Sequence, residues 1–124
     1  MTCRLEEQFS KRLSFIREMQ DVRKGSYPEF PIDITKKASQ QFCRDLALRG
    51  VEEMFEALGH LKNWKPHRET EVVDFNREEF LEEFVDGMNY FLSVLVLLGH
   101  DADDLFRVYE KKDKIIHERI KKGY

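Results

Sequence analysis

Apolar residues recur along this chain at the period of a helix. Leu5, Phe9, Leu13, Ile16 and Met19 fall three or four apart, which lines one side of a 3.6-residue turn and predicts a first helix ending near Gly25 and the Tyr27-Pro28-Glu29-Phe30-Pro31 loop. A second helix is expected from about Thr35 to Leu61, with Phe42, Leu46, Val51, Met54, Phe55 and Leu58 on its apolar face. Gly50 and Gly59 fall inside that span, each at a cost of about 1 kcal/mol relative to Ala. The polar stretch from Asn63 to Phe75 breaks the pattern. Asn76 followed by Glu79 then has the spacing of a capping box for a third helix, which runs to Leu98 and stops at Gly99. The fourth starts in the Asp101–Asp104 cluster, whose charges complement the positive end of the helix dipole, and ends in Lys121, Lys122 and Gly123. No alternation is long enough for a strand and no segment repeats. The pattern predicts an all-α fold, a helical bundle of about four main helices.

The second half of the third helix, Met88 to Leu98, is apolar around nearly its whole circumference, and such a helix is buried on all sides. A four-helix monomer of 124 residues can hardly achieve that, so the bundle is expected to be completed by oligomerisation, as a homodimer or dimer of dimers. The same length suits one domain spanning residues 1–124. With 41% hydrophobic and 36% charged residues of both signs, the chain has the composition of a folding protein. A net charge of −3 and a pI near 5.8 lack the basic footprint of a general nucleic-acid binder. Residues 1–9 hold Arg4, Glu6 and Glu7 and no secretory apolar stretch. The longest apolar run, Tyr90 to Leu98, is about half of the ~20 residues needed to cross a bilayer. Cys3 and Cys43 have no CxxC spacing, which fits reduced thiols and a cytoplasmic setting without membrane or nucleic-acid partners.

Two carboxylate pairs carry the chemistry: Glu53 with Glu56, and Glu83 with Asp86. Residues three apart on a helix share a face, so each pair can offer oxygens toward one point. Both pairs sit among apolar neighbours, Met54, Phe55 and Leu58 for the first and Phe84, Val85 and Met88 for the second. Like charges in such a setting repel by roughly 4 kcal/mol per close pair at an effective dielectric near 20. A cation between them is expected, and a set of hard oxygen donors selects Mg²⁺ or Mn²⁺. Against this, 24 acidic residues in 124 produce such spacings by chance, as Glu79 and Glu82 do. His60, His67, His100 and His117 show no HExxH spacing and are expected to be structural or solvent-facing. Neither acidic pair has the Glu-x-x-His form of a di-iron bundle, and no Ser-His-Asp or Cys-His arrangement has recognisable context.

A longer ordered set decides between these readings. The stretch from Glu53-Met-Phe-Glu56 through Lys62-Asn-Trp64-Lys65, followed by Glu83-Phe-Val-Asp86 and Asn89, resembles the ExxE and ExxD motifs of the all-α NTP pyrophosphohydrolase superfamily. Tyr109-Glu-Lys-Lys112, then Arg119, then Gly123-Tyr124 looks like the YxxKNxxNxxRQxxGY segment of the dimeric dUTPases and phage dCTPase–dUTPases. The resemblance covers about residues 51–124.

This resemblance implies a MazG-like, dimeric-dUTPase-like fold and Mg²⁺-dependent hydrolysis of a deoxynucleoside triphosphate to its monophosphate and pyrophosphate. The substrate expected is dUTP first, dCTP next, and a modified or noncanonical dNTP third. Glu53, Glu56, Glu83 and Asp86 match the metal-holding positions, and Glu53 matches the carboxylate that orients and deprotonates the attacking water. Lys62, Trp64, Lys65, Asn89, Tyr109, Lys112, Arg119 and Tyr124 match substrate-binding positions. Lys112 and Arg119 are seven apart, hence on one side of the last helix, where Arg can meet phosphate oxygens bidentately. The chain departs from the pattern at Asp113, Ile116 and Ile120, where it has Asn, Asn and Gln, and at Asn89, where members often carry His. The first three changes remove amide donors that the family pattern has, and all four bear on which base is read. The competing reading from another class is a noncatalytic helical dimerisation module whose acids are surface charge.

Overall fold

In the computed structural model, which describes residues 3–23, 25, 27–28 and 30–123, four helices follow one another. They are α1 (Arg4–Val22), α2 (Lys37–Leu58), α3 (Arg77–Leu97) and α4 (Ala102–Lys121). No β-strand occurs among the described residues, so the fold is all-α. No helix among them is long and apolar enough to cross a membrane. The chain divides into two compact units, one of residues 1–32 and 95–124 and the other of residues 33–94.

In the first unit α1 turns its expected stripe inward. Phe9 and Ile16 are buried, Leu5, Leu13 and Met19 half-buried, and the helix packs against α4. The last turn of α3 contributes Val96 and Leu97, the latter fully buried. Between α3 and α4 the chain turns within four residues. Gly99 takes the left-handed conformation at φ 85°, its N–H donates to the Val96 carbonyl, and the His100 N–H donates to that of Leu95. This double bond pattern satisfies carbonyls the helix end would leave bare. Asp101 then caps α4. Its carboxylate accepts from the Asp104 N–H at 2.8 Å, and the Asp104 carboxylate accepts from the Asp101 N–H at 3.2 Å, a reciprocal box. The Asp101 N–H, with a further hydrogen bond from the His100 imidazole, holds the Asp104 carboxyl below the usual carboxylate range. Beyond Ala102, α4 is exposed along most of its length, Phe106, Tyr109 and Ile120 included.

In the second unit the buried line of α2 runs through Cys43, Leu46, Gly50 and Ala57. The expected apolar face is therefore rotated: Leu46 is on it, but Val51, Phe55 and Leu58 are exposed. The cause is a close helix crossing made by glycine. A Cβ on Gly50 would stand 2.6 Å from the Phe91 ring, and one on Gly87 would stand 2.7 Å from the Met54 methyl and 3.1 Å from the Gly50 carbonyl. The two helices meet where side chains are missing, and a count of large apolar residues is blind to such positions. At the start of α3, Asn76 accepts the Glu79 N–H at 3.0 Å, as its spacing predicts. Every residue from Met88 to Leu97 is buried or half-buried in the single chain, and only Leu98 of that segment is exposed. The single chain thus buries Leu92, Ser93, Val96 and Leu97 fully and covers the rest of the stripe only in part.

Candidate metal centre

The glycine crossing places the acids. α2 and α3 run antiparallel there, with Gly50 against Phe91 and Met54 against Gly87. Glu53 lies one turn after Gly50 and Glu83 one turn before Gly87, each on its helix's inward stripe, and both are half-buried. Glu56 and Asp86, three residues further along, are exposed, so the expected partial burial of all four holds for two.

Their electrostatics tie the set together. Partial burial, a hydrogen bond shared with the Glu56 carboxyl, and the charges of Glu56, Asp86 and Glu83 hold the Glu53 carboxyl above the usual carboxylate range. Contributions from both helices mean that the two pairs lie within electrostatic reach of one another. Among the described residues no three His, Cys, Asp or Glu side chains are already gathered at metal-binding geometry. Repulsion between like charges opposes such gathering until a cation neutralises them. In chemistry the donor set fits a hard divalent cation, all oxygens and all anionic when ionised.

A fifth group joins these acids. His60 Nε2 lies 3.0 Å from Glu83 Oε2, with the two side chains 22% and 33% exposed. The expectation that His60 is structural or solvent-facing missed this contact. Its signal was present: His60 follows Glu56 by four residues and Glu53 by seven, and so continues their side of the helix.

The remaining site residues are more dispersed. Lys62 is exposed and, with His60, Asp74, Phe75, Asn76 and Glu79, lines a cleft of about 410 Å³. Trp64 is exposed, and the Lys65 Nζ stands 5.9 Å from its ring centroid. Asn63 ties their loop together, donating to Glu69 at 3.2 Å and accepting the Thr70 N–H at 3.0 Å. Asn89 is half-buried one turn beyond Asp86. Tyr109, Lys112 and Arg119 are exposed on α4, in the first unit, where Asp113 pairs with His117 at 3.5 Å. Tyr124 lies outside the described residues. Neither cysteine is in a disulfide: Cys3 is exposed and Cys43 buried, and desolvation pushes the Cys43 thiol up.

The raised Glu53 value makes a stability prediction with a definite sign. A carboxyl whose folded pKa exceeds its unfolded value favours folding while protonated, and that contribution is lost as pH rises through the folded value. In metal-free protein Glu53→Gln should therefore melt higher than wild type at neutral pH. The difference should vanish below the ordinary glutamate range, where both side chains are neutral. Melting curves between about pH 3 and 8, reaching below the ordinary glutamate range, check this; an equal offset at both ends would show that Glu53 feels no crowding.

No protein-family profile matches the chain, and no curated protein or solved structure is significantly similar to it.

Proposed function

We propose that the chain is a nucleoside triphosphate pyrophosphohydrolase that cleaves a deoxynucleoside triphosphate to its monophosphate and pyrophosphate with Mg²⁺, or Mn²⁺ in its place. Its role would be nucleotide-pool sanitation in the cytoplasm. The observation that carries this reading is Glu53, half-buried beside the glycine crossing and held above the usual carboxylate range by that burial and by the neighbouring Glu56, Asp86 and Glu83. Like charges around one carboxyl add nothing to stability, and a carboxyl perturbed by such neighbours is a candidate for a working site. These four side chains would hold the metal, which when bound would neutralise phosphate charge and make a bound water more acidic. Glu53, the acid whose proton affinity is raised, is suited to orient the attacking water and accept its proton. Lys62 and Lys65, in the same unit as the acids, would supply cations for phosphate oxygens, and the resemblance assigns the same role to Lys112 and Arg119 of α4. Trp64, Asn89, Tyr109 and Tyr124 are read as further contacts to the nucleotide. The substrate is dUTP first and dCTP second, with a modified or noncanonical dNTP third.

The reading includes a homodimer or dimer of dimers. It is supported by apolar side chains left bare beside the acids, Phe55, Leu58, Leu81, Phe84 and Val85, and along α4 at Phe106 and Ile120.

The test is a panel of common dNTPs and NTPs incubated with Mg²⁺ while pyrophosphate release is followed. Thermal melting with and without the metal accompanies it, where a real site gives about 2.7 kcal/mol at a hundredfold excess over Kd. Turnover of a deoxynucleotide with a metal-dependent shift supports the proposal. No turnover and no shift would instead favour a helical dimerisation module.

A further inference from the structure

We infer that His60 is a positioning residue, holding Glu83 in the orientation in which it serves the site; this rests on the hydrolase reading above. His60 lies outside both acidic motifs, and no spacing rule for metal-binding histidines includes it.

The geometry points to this role in three ways. First, the contact crosses from the turn after α2 to α3 and joins residues 23 apart in the chain, with both partners part-buried. A bond of that kind is not the incidental pairing of two surface side chains. Second, the imidazole is itself anchored. Its backbone N–H donates to the Ala57 carbonyl at 3.1 Å, continuing the helical turn past Gly59, whose own N–H bonds to the Phe55 and Glu56 carbonyls. The ring is thereby presented from a fixed backbone. Third, the four acids are treated unequally. Glu83 alone of the four has a side-chain nitrogen partner among the described residues.

Facing a carboxylate, Nε2 acts as the hydrogen-bond donor. It engages Oε2 and leaves Oε1 of the same carboxylate able to face the site. A free glutamate must give up its rotamer freedom to bind anything. Glu83 has surrendered part of that freedom already. Outer-shell partners of this kind orient metal-ligating side chains and change metal affinity or activity by roughly 10–100-fold when removed. A lysine or arginine here would bring a permanent positive charge against the incoming cation; an imidazole can donate while neutral.

The test uses the full chain with Mn²⁺ as the probe. Its affinity is measured by direct titration in wild type, His60→Leu, which removes the donor at similar size, and His60→Gln, whose amide nitrogen can reach the position of Nε2. KM and kcat are measured separately on the best substrate of the panel, and metal-free melting is recorded for each. Expected is a roughly 10–100-fold loss of Mn²⁺ affinity in His60→Leu, a fall carried by kcat more than KM, substantial recovery in His60→Gln, and metal-free melting close to wild type. Wild-type Mn²⁺ affinity in His60→Leu would overturn the positioning role and leave the hydrolase reading standing. Absence of Mn²⁺ binding in wild type would overturn both. Equal losses in the Leu and Gln variants would show that ring packing, not the hydrogen bond, is what counts. If His60→Leu does not fold, His60→Asn, which stays polar but places its amide short of Glu83, is held to the same criteria.

Discussion

Glu56→Gln and Asp86→Asn are expected to lose most hydrolysis and most Mg²⁺ affinity while the metal-free protein melts at the wild-type temperature or above it. Each amide keeps the shape of the side chain but removes an anionic oxygen, and a hard cation binds carboxylate far better than amide. In the absence of metal the same change removes one of the charges that crowd Glu53, so the fold loses a repulsion and no contact that supports it. Both residues are exposed, and an exposed substitution with no special role shifts stability by no more than about 0.5 kcal/mol and leaves activity alone. Glu52→Gln is the internal control. It is also exposed and lies next to Glu53, but about 100° around the helix. Metal titration, steady-state turnover and melting of the three variants decide the matter. Equal activity in all three and in wild type would end the assignment of a metal site, and the enzyme reading with it.

Gly87→Val should cost about 3 kcal/mol, the upper part of the range for forcing bulk into a packed contact. For a chain of this length that is a fall of about 12 °C in Tm. The added Cβ alone would meet the Met54 methyl at 2.7 Å and the Gly50 carbonyl at 3.1 Å, before the two methyls of valine are placed. The methyl can swing aside; the carbonyl belongs to α2 and cannot move without the helix. α3 would have to back away, and Asp86, the neighbour of Gly87, would retreat with it, so Mg²⁺ affinity should fall alongside stability. A double-mutant cycle separates the two obstructions. Gly87→Ala should cost less in a Met54→Ala background than in wild type, the remainder belonging to the carbonyl. Melting of Gly87→Val within 2 °C of wild type would contradict the tight crossing, since the expected shift is about 12 °C.

The helices were legible because their ends carry chemistry of their own. Asn76, Gly99 and the Asp101–Asp104 cluster each mark a boundary by a local hydrogen bond or a left-handed turn, which needs no knowledge of the rest of the chain. The acid pairs were legible for the same reason, being fixed by helical spacing. The packing face of α2 was not. Hydrophobic content pointed to Val51, Phe55 and Leu58, whereas the contact runs through Gly50, which contributes nothing to an apolar count and everything to how near α3 can come. His60 was hidden differently. Its partner is Glu83 on another helix, and a search for metal-binding spacing inside one segment cannot reveal a contact between two. Met88–Leu98 was legible as a covered segment, but all-round apolarity does not say which chain covers it.

The corner between α3 and α4 bears on the order of folding events. α4 packs against α1 but has only Ala102 fully buried, so local bonds share in aiming it. At its start it is held by four hydrogen bonds between groups no more than five residues apart, those of Gly99, His100, Asp101 and Asp104. Contacts so close in sequence require almost no loop-closure entropy and can form on the time scale of helix growth itself. The α2–α3 crossing, by contrast, must first bring together segments separated by the loop at residues 59–76, and in small proteins such long-range contacts are the slow ones. The direction in which the chain leaves α3 is therefore settled early and locally, while the carboxylates converge only when the crossing closes.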